Sequence, residues 1–146
     1  MATFSRSTTV DWQGTLMEGK GTAKAGTGAF SLPVSFPRRI GEAEGVTSPE
    51  ELMAASHAAC YAMVLAGMLA KNNASVKSTG LTCTITADKS DAGIKLTTSK
   101  LEVAVEGLTG MDAATFEAKA KEAEKGCPIS NALRPALAIE VVVTVK

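Results

Sequence analysis

Residues 53–70, MAASHAACYAMVLAGMLA, run for eighteen positions without a formal charge, and this stretch limits the possible folds of the chain more than any other. Such a run is either a membrane span or a helix enclosed by protein. It is at the lower length limit for crossing a bilayer, alanine dominates it rather than leucine or isoleucine, and Ser56 and His57 lie within it. A helix buried in protein is the better account, and no membrane partner is expected. The residues just ahead supply its start. Ser48 can cap a helix, Pro49 suits a first turn, and Glu51, three residues after Ser48, completes a capping box. Asn72 and Asn73 end it, so the helix predicted over residues 49–71 is about 34 Å long and crosses a small domain.

That helix is apolar all round. Met53, Met63 and Val64 share one side, while Leu52, Leu65 and Leu69 lie near the other, so it needs cover on every face. With 146 residues and only 4% aromatics, one chain has little material to provide it. Two chains packing their long helices together solve the problem, and a homodimer is expected.

Around the helix the pattern is mixed. Residues 7–36 hold short alternating segments broken by glycine, which read as a small antiparallel sheet; residues 37–47 read as a polar loop. Residues 78–88 and 93–106 alternate on either side of KSDAG and predict a β-hairpin with Leu81, Cys83, Ile85 and Ala87 on one face. Residues 112–125 form an amphipathic helix with Ala113, Phe116, Ala120 and Ala123 inward and Glu117 paired with Lys121 outside. Pro128 opens a short helical turn ended by Pro135, and residues 137–145 are a last strand. The fold class is α+β, antiparallel sheets around a long central helix, in one domain spanning residues 1–146.

Fifteen basic residues balance fifteen acidic ones with no concentrated basic surface, so nucleic acid is not an expected partner. The first residues show no basic leader with an apolar run, and a cytoplasmic location is expected. Three cysteines at 60, 83 and 127 make neither a disulfide scaffold nor a Cys-x-x-Cys motif.

Each candidate for chemistry has a plain structural alternative. Cys60 lies mid-helix, out of reach of the helix dipole, and by itself reads as a packed thiol. Cys127 precedes Pro128 at a helix start, where free N–H groups favour a thiolate, so local reasoning names it the more acidic. Cys83 reads as core. His57, three residues before Cys60, is a base or ligand candidate, although a lone histidine in an alanine-rich helix is more often satisfied by a local partner. Arg38 and Arg39 precede the long helix and Glu50 and Glu51 open it. A buried thiol that must ionise needs a cation, and one of these arginines is the best candidate.

The segments FPRRIG, SPEELMAASHAACYAM and KGCPIS, in that order and at these separations, resemble the three functional segments of the OsmC/Ohr family of hydroperoxide reductases. The His-Ala-Ala-Cys and Gly-Cys-Pro contexts are closer to its OsmC branch. The resemblance implies an intertwined homodimer. It also implies that Cys60 attacks the peroxide and Cys127 resolves, which reverses the local ranking of the thiols. The family arginine falls better on Arg39 than on Arg38, and the family glutamate on Glu50. Organic hydroperoxides are the implied substrates, a thiol or dithiol the external reductant, and no bound cofactor is required.

The implied chemistry is coherent. A guanidinium stabilises the attacking thiolate and hydrogen-bonds peroxide oxygens, Glu50 holds Arg39, and a disulfide halts oxidation at its reversible stage. Helix arithmetic adds a constraint. Glu50 and Cys60 are about 15 Å apart along the axis and nearly a quarter-turn out of line, so the Arg39 and Glu50 serving each Cys60 are expected from the partner chain. The Met and Leu side chains near Cys60 favour organic peroxides over hydrogen peroxide. Two rival readings stand beside this one: a metal site built from His57, Cys60, Cys127 and Glu50, and a non-enzymatic module that binds apolar ligands.

Overall fold

In the computed structural model, which describes residues 1–146, the glycine-punctuated start folds into β1 (Thr8–Gln13), β2 (Lys20–Ala25) and β3 (Ser31–Val34). They form an antiparallel sheet in the order β1-β2-β3, and Gly14, at φ +92°, supplies the left-handed conformation that turns the chain out of β1. The chain divides into two compact units, residues 1–52 and 53–146.

Part of the expected loop is ordered as a helix, α1 (Phe36–Ile40). Ser35 is extended, Pro37 sits in the first turn where its fixed φ fits, and the Arg39 N–H donates to the Ser35 carbonyl. Five residues are too few to show an apolar period, so nothing in the sequence marked this helix. It presents Arg38 and Arg39 side by side in its last turn.

Helix α2 (Pro49–Lys71) has the predicted bounds. The Ser48 Oγ accepts from the Glu51 N–H at 3.1 Å, but the other half of the capping box does not form. The Glu51 carboxylate accepts instead from the Thr47 hydroxyl at 2.7 Å. At the far end Asn73 takes a positive φ and the Asn72 amide donates to the Met68 carbonyl, which stops the helix.

The second unit holds the hairpin β4 (Ser78–Ser90) and β5 (Gly93–Glu106), with α3 (Ala113–Ala123), a 3-10 turn (Glu124–Gly126), α4 (Pro128–Leu133) and β6 (Ala138–Val145). A bulge between Thr86 and Ala87 shifts the register, so Leu81, Cys83 and Ile85 stay half-buried while Ala87 is exposed. The expectation of antiparallel sheets fails for β6, which pairs parallel to β5 from Thr98/Ala138 to Val105/Val145. The cause is the connection: the chain returns to the same side through α3 and α4, a crossover of the kind parallel pairing requires.

Asp112 caps α3 by accepting from the Thr115 N–H at 2.7 Å. Phe116 and Ala120 of α3, Tyr61, Leu65 and Leu69 of α2, and Leu101, Val103 and Val105 of β5 close the core of this unit. Helix α2 therefore buries one stripe, His57, Tyr61, Leu65 and Leu69, while Met63 is 75% exposed.

Candidate active site

Cys127 is the residue before Pro128 and takes the extended conformation that this position imposes, which makes it the N-cap of α4. Its sulfur accepts from the Ser130 N–H at 3.5 Å. Its thiol donates to the sulfur of Cys60 at 3.3 Å. The fold thus brings two thiols 67 positions apart in sequence to within about 1.3 Å of the length of a disulfide bond. Cys127 is fully buried and Cys60 only half-buried, so a small molecule can meet Cys60 and not Cys127. Burial pushes the Cys60 thiol above its usual pKa; the N–H of Ile129 in the first turn of α4 pulls the other way, and the neighbouring Cys127 adds to the rise.

In the first unit Arg39 lies on Glu50. Its Nε donates to both carboxylate oxygens at 3.1 Å and its Nη2 to Oε1 at 2.6 Å, a forked and partly buried pair. Hydrogen bonding to Arg39 holds the Glu50 carboxyl below the usual range, and the same bond raises the guanidinium. Arg38 is committed elsewhere, to Glu44 at 2.7 Å and the Glu42 carbonyl at 3.2 Å, both on the surface. Arg39 also walls a cavity of about 300 Å³ whose other sides include Val10, Trp12, Leu16, Val34 and Phe36. Its apolar lining with one fixed cation suits a hydrocarbon group that carries a polar oxygen head.

His57 does not face either catalytic candidate thiol. Its Nδ1 meets the Ser99 hydroxyl on β5 and its Nε2 the Ser130 hydroxyl on α4, each at 2.6 Å, and all three residues are fully buried. The Ser99 oxygen is also 3.3 Å from the Cys83 sulfur. Proton accounting selects one direction through this chain. If Ser130 donates to Nε2, Nδ1–H donates to Ser99 and Ser99 donates to Cys83, every serine and ring hydrogen is used, and only the weakly donating S–H of half-buried Cys83 is left over. The reverse direction strands the Ser130 hydroxyl hydrogen, a cost of about 1–3 kcal/mol for a buried donor. Burial lowers the His57 pKa, which agrees with the neutral ring this requires. The metal reading needs a free His57 nitrogen, and both are taken by serines.

Sequence reasoning singled out Cys60, Cys127, Arg39, Glu50 and His57 but missed Ser99 and Ser130. A signal existed for Ser99. It is a polar residue in the inward register of β5 with Leu101, Val103 and Val105, and an inward hydroxyl needs a partner.

Residues 41–142 match the family model of OsmC-like proteins. The chain is 38% identical to Peroxiredoxin OsmC of Escherichia coli over 132 residues, which is 88% of this chain and 90% of that one. It is 32% identical to Organic hydroperoxide resistance protein-like 2 of Staphylococcus saprophyticus, over 80% of this chain and 81% of that one. Among solved structures, an organic hydroperoxide resistance protein OsmC from Legionella pneumophila superimposes with a TM-score of 0.74 at 26% identity, covering 94% of this chain and 96% of that one.

Proposed function

The chain belongs to the OsmC family, on the OsmC branch of the OsmC/Ohr group, and on that premise we propose that Cys60 reduces organic hydroperoxides and Cys127 resolves the product as a disulfide. As a member of this family the chain is a cysteine-based peroxidase. The observation that carries the finer reading is the 3.3 Å approach of the two sulfurs, with only Cys60 open to a reagent.

The Cys60 thiolate attacks the outer peroxide oxygen. The O–O bond breaks, and the alkoxide takes a proton and leaves as the alcohol. The Cys127 sulfur then attacks the sulfenic sulfur of Cys60, the S–O bond breaks, and the oxygen leaves as water once protonated. An external thiol or dithiol reopens the disulfide by exchange, and no bound cofactor takes part. A cytoplasmic location, where thiol reductants are kept reduced, suits this cycle.

Ionisation of Cys60 is opposed by burial, so attack needs a cation. Arg39 fixed on Glu50 is the group for it. Because Glu50 and Cys60 are about 15 Å apart along α2, the Arg39 acting on each Cys60 is taken to be the partner's, in a homodimer that covers the exposed side of α2 around Met63. The apolar cavity beside Arg39 supports a preference for cumene hydroperoxide over hydrogen peroxide.

The test is mass mapping after one equivalent of cumene hydroperoxide. Wild type is expected to give a Cys60 to Cys127 disulfide, Cys127→Ser a trapped or over-oxidised Cys60, and Cys60→Ser no fast peroxide loss. Two reduced thiols in wild type, or oxidation of Cys127 alone, would sink the reading.

A further inference from the structure

The two side-chain pairs that join α2 to α4, beside the backbone N–H of Ile129 on Cys60, have matching spacing. His57 precedes Cys60 by three residues on α2, and Ser130 follows Cys127 by three on α4. Cys60 meets Cys127 and His57 meets Ser130, so the helices cross like a ladder with two rungs about 4.5 Å apart along each axis. One rung can be remade covalently. The other is a short, fully buried hydrogen bond whose histidine is tied on its far side to Ser99 of β5.

We propose that His57, held between Ser99 and Ser130, is a positioning residue that sets the register of α4 on α2 and so keeps Cys127 within reach of oxidised Cys60. This deepens the thiol-pair reading and rests on it. The same segment is braced at its other corners. Glu124 ahead of Cys127 accepts from Arg134 behind it at 2.7 Å, and the Asn131 amide donates to the Lys125 carbonyl at 2.9 Å. These bonds fix the internal shape of residues 124–134, but they lie within that segment and cannot set where it rests on α2. The His57 to Ser130 rung can.

The rung decides a competition. Once Cys60 is a sulfenic acid, either the Cys127 sulfur displaces its oxygen as water and forms the disulfide, or a second hydroperoxide transfers an oxygen to it, giving the sulfinic acid and another alcohol. The first route depends on where α4 sits and the second does not. A displacement of about 1 Å at a reacting pair slows reaction up to about a hundredfold, so loss of register shifts the outcome toward sulfinic acid.

The experiment measures the ratio of disulfide to Cys60 sulfinic acid by mass spectrometry at a fixed excess of cumene hydroperoxide. The proteins are full-length wild type, Ser130→Ala, Ser99→Ala and Ser130→Thr. Expected is a ratio lowered about tenfold or more in Ser130→Ala, a fall of the same sign in Ser99→Ala, and recovery in Ser130→Thr, which keeps the hydroxyl. Ser99 touches neither Cys60 nor Cys127, so its effect on the ratio comes through the ring of His57. A residue that only stabilised the fold would lower the melting temperature and leave this ratio intact. Wild-type ratios in both alanine variants overturn the proposal while leaving the peroxidase reading standing. A wild type that forms no disulfide at all overturns that reading, and this proposal with it.

Discussion

As the proposed attacking thiol, Cys60 answers to two opposed demands. It must be covered enough to sit beside a fully buried Cys127, and it must ionise, which cover opposes. The cation proposed to reconcile them is itself held by a carboxylate, and that bond can be measured. The Glu50 carboxyl titrates below its usual value in the fold because Arg39 hydrogen-bonds its charged form. A depressed pKa adds stability above the unfolded value of 4.5, and the gain disappears as pH falls below that through the folded value. At pH 7 Glu50→Gln is expected to lose about 1 kcal/mol, a figure reduced for partial exposure of the pair. The gap from wild type should close as thermal unfolding is repeated toward pH 3, and a gap that stays constant would show that the charge of Glu50 is not what matters. The residues of this pair were legible through the family resemblance, which put the arginine at the end of F-x-x-R and the glutamate after Pro49, whereas the doubled arginine by itself left Arg38 and Arg39 both open. Ser99 and Ser130 were not, since their shared partner His57 lies 42 and 73 positions away and only the closed fold reveals it.

Among the elements, α2 was read to its ends because caps are local chemistry. A serine, a proline and a pair of asparagines say where a helix begins and stops wherever the rest of the chain goes. Helix α1 escaped notice for the opposite reason, being too short for any period, and the direction of β6 depends on the route through α3 and α4 rather than on its own residues. The two faces of α2 give the sharpest test at this scale. Leu65 is 1% exposed within its unit, and Leu65→Ala is expected to cost about 2–5 kcal/mol in denaturant unfolding. Met63, two residues earlier, is 75% exposed. On the proposed homodimer, wild type should show a two-chain mass in light scattering and Met63→Glu a one-chain mass, with unfolding of the single chain changed by less than about 0.5 kcal/mol. A one-chain mass for wild type, or an unchanged mass in the variant, would sink a dimer built on this face of α2.

At the scale of the whole molecule, the proposed chemistry draws on both units. The cation and its carboxylate belong to residues 1–52 and the thiols to residues 53–146. The α+β class and the long helix could be read from pattern alone, because alternation and an uncharged run are properties of segments. The function could not; it came from cysteines set in particular contexts, and their resemblance to a family carried it. The first unit also holds something the chain has only one of. Trp12 is its single tryptophan, 42% exposed, with its ring in the wall of the cavity beside Arg39 and its indole N–H donating to the Gly14 carbonyl. All indole emission from this protein therefore comes from one place. An apolar guest that displaces water there will shift that emission to shorter wavelength, so the protein carries its own optical gauge of what enters the cavity, with no label attached.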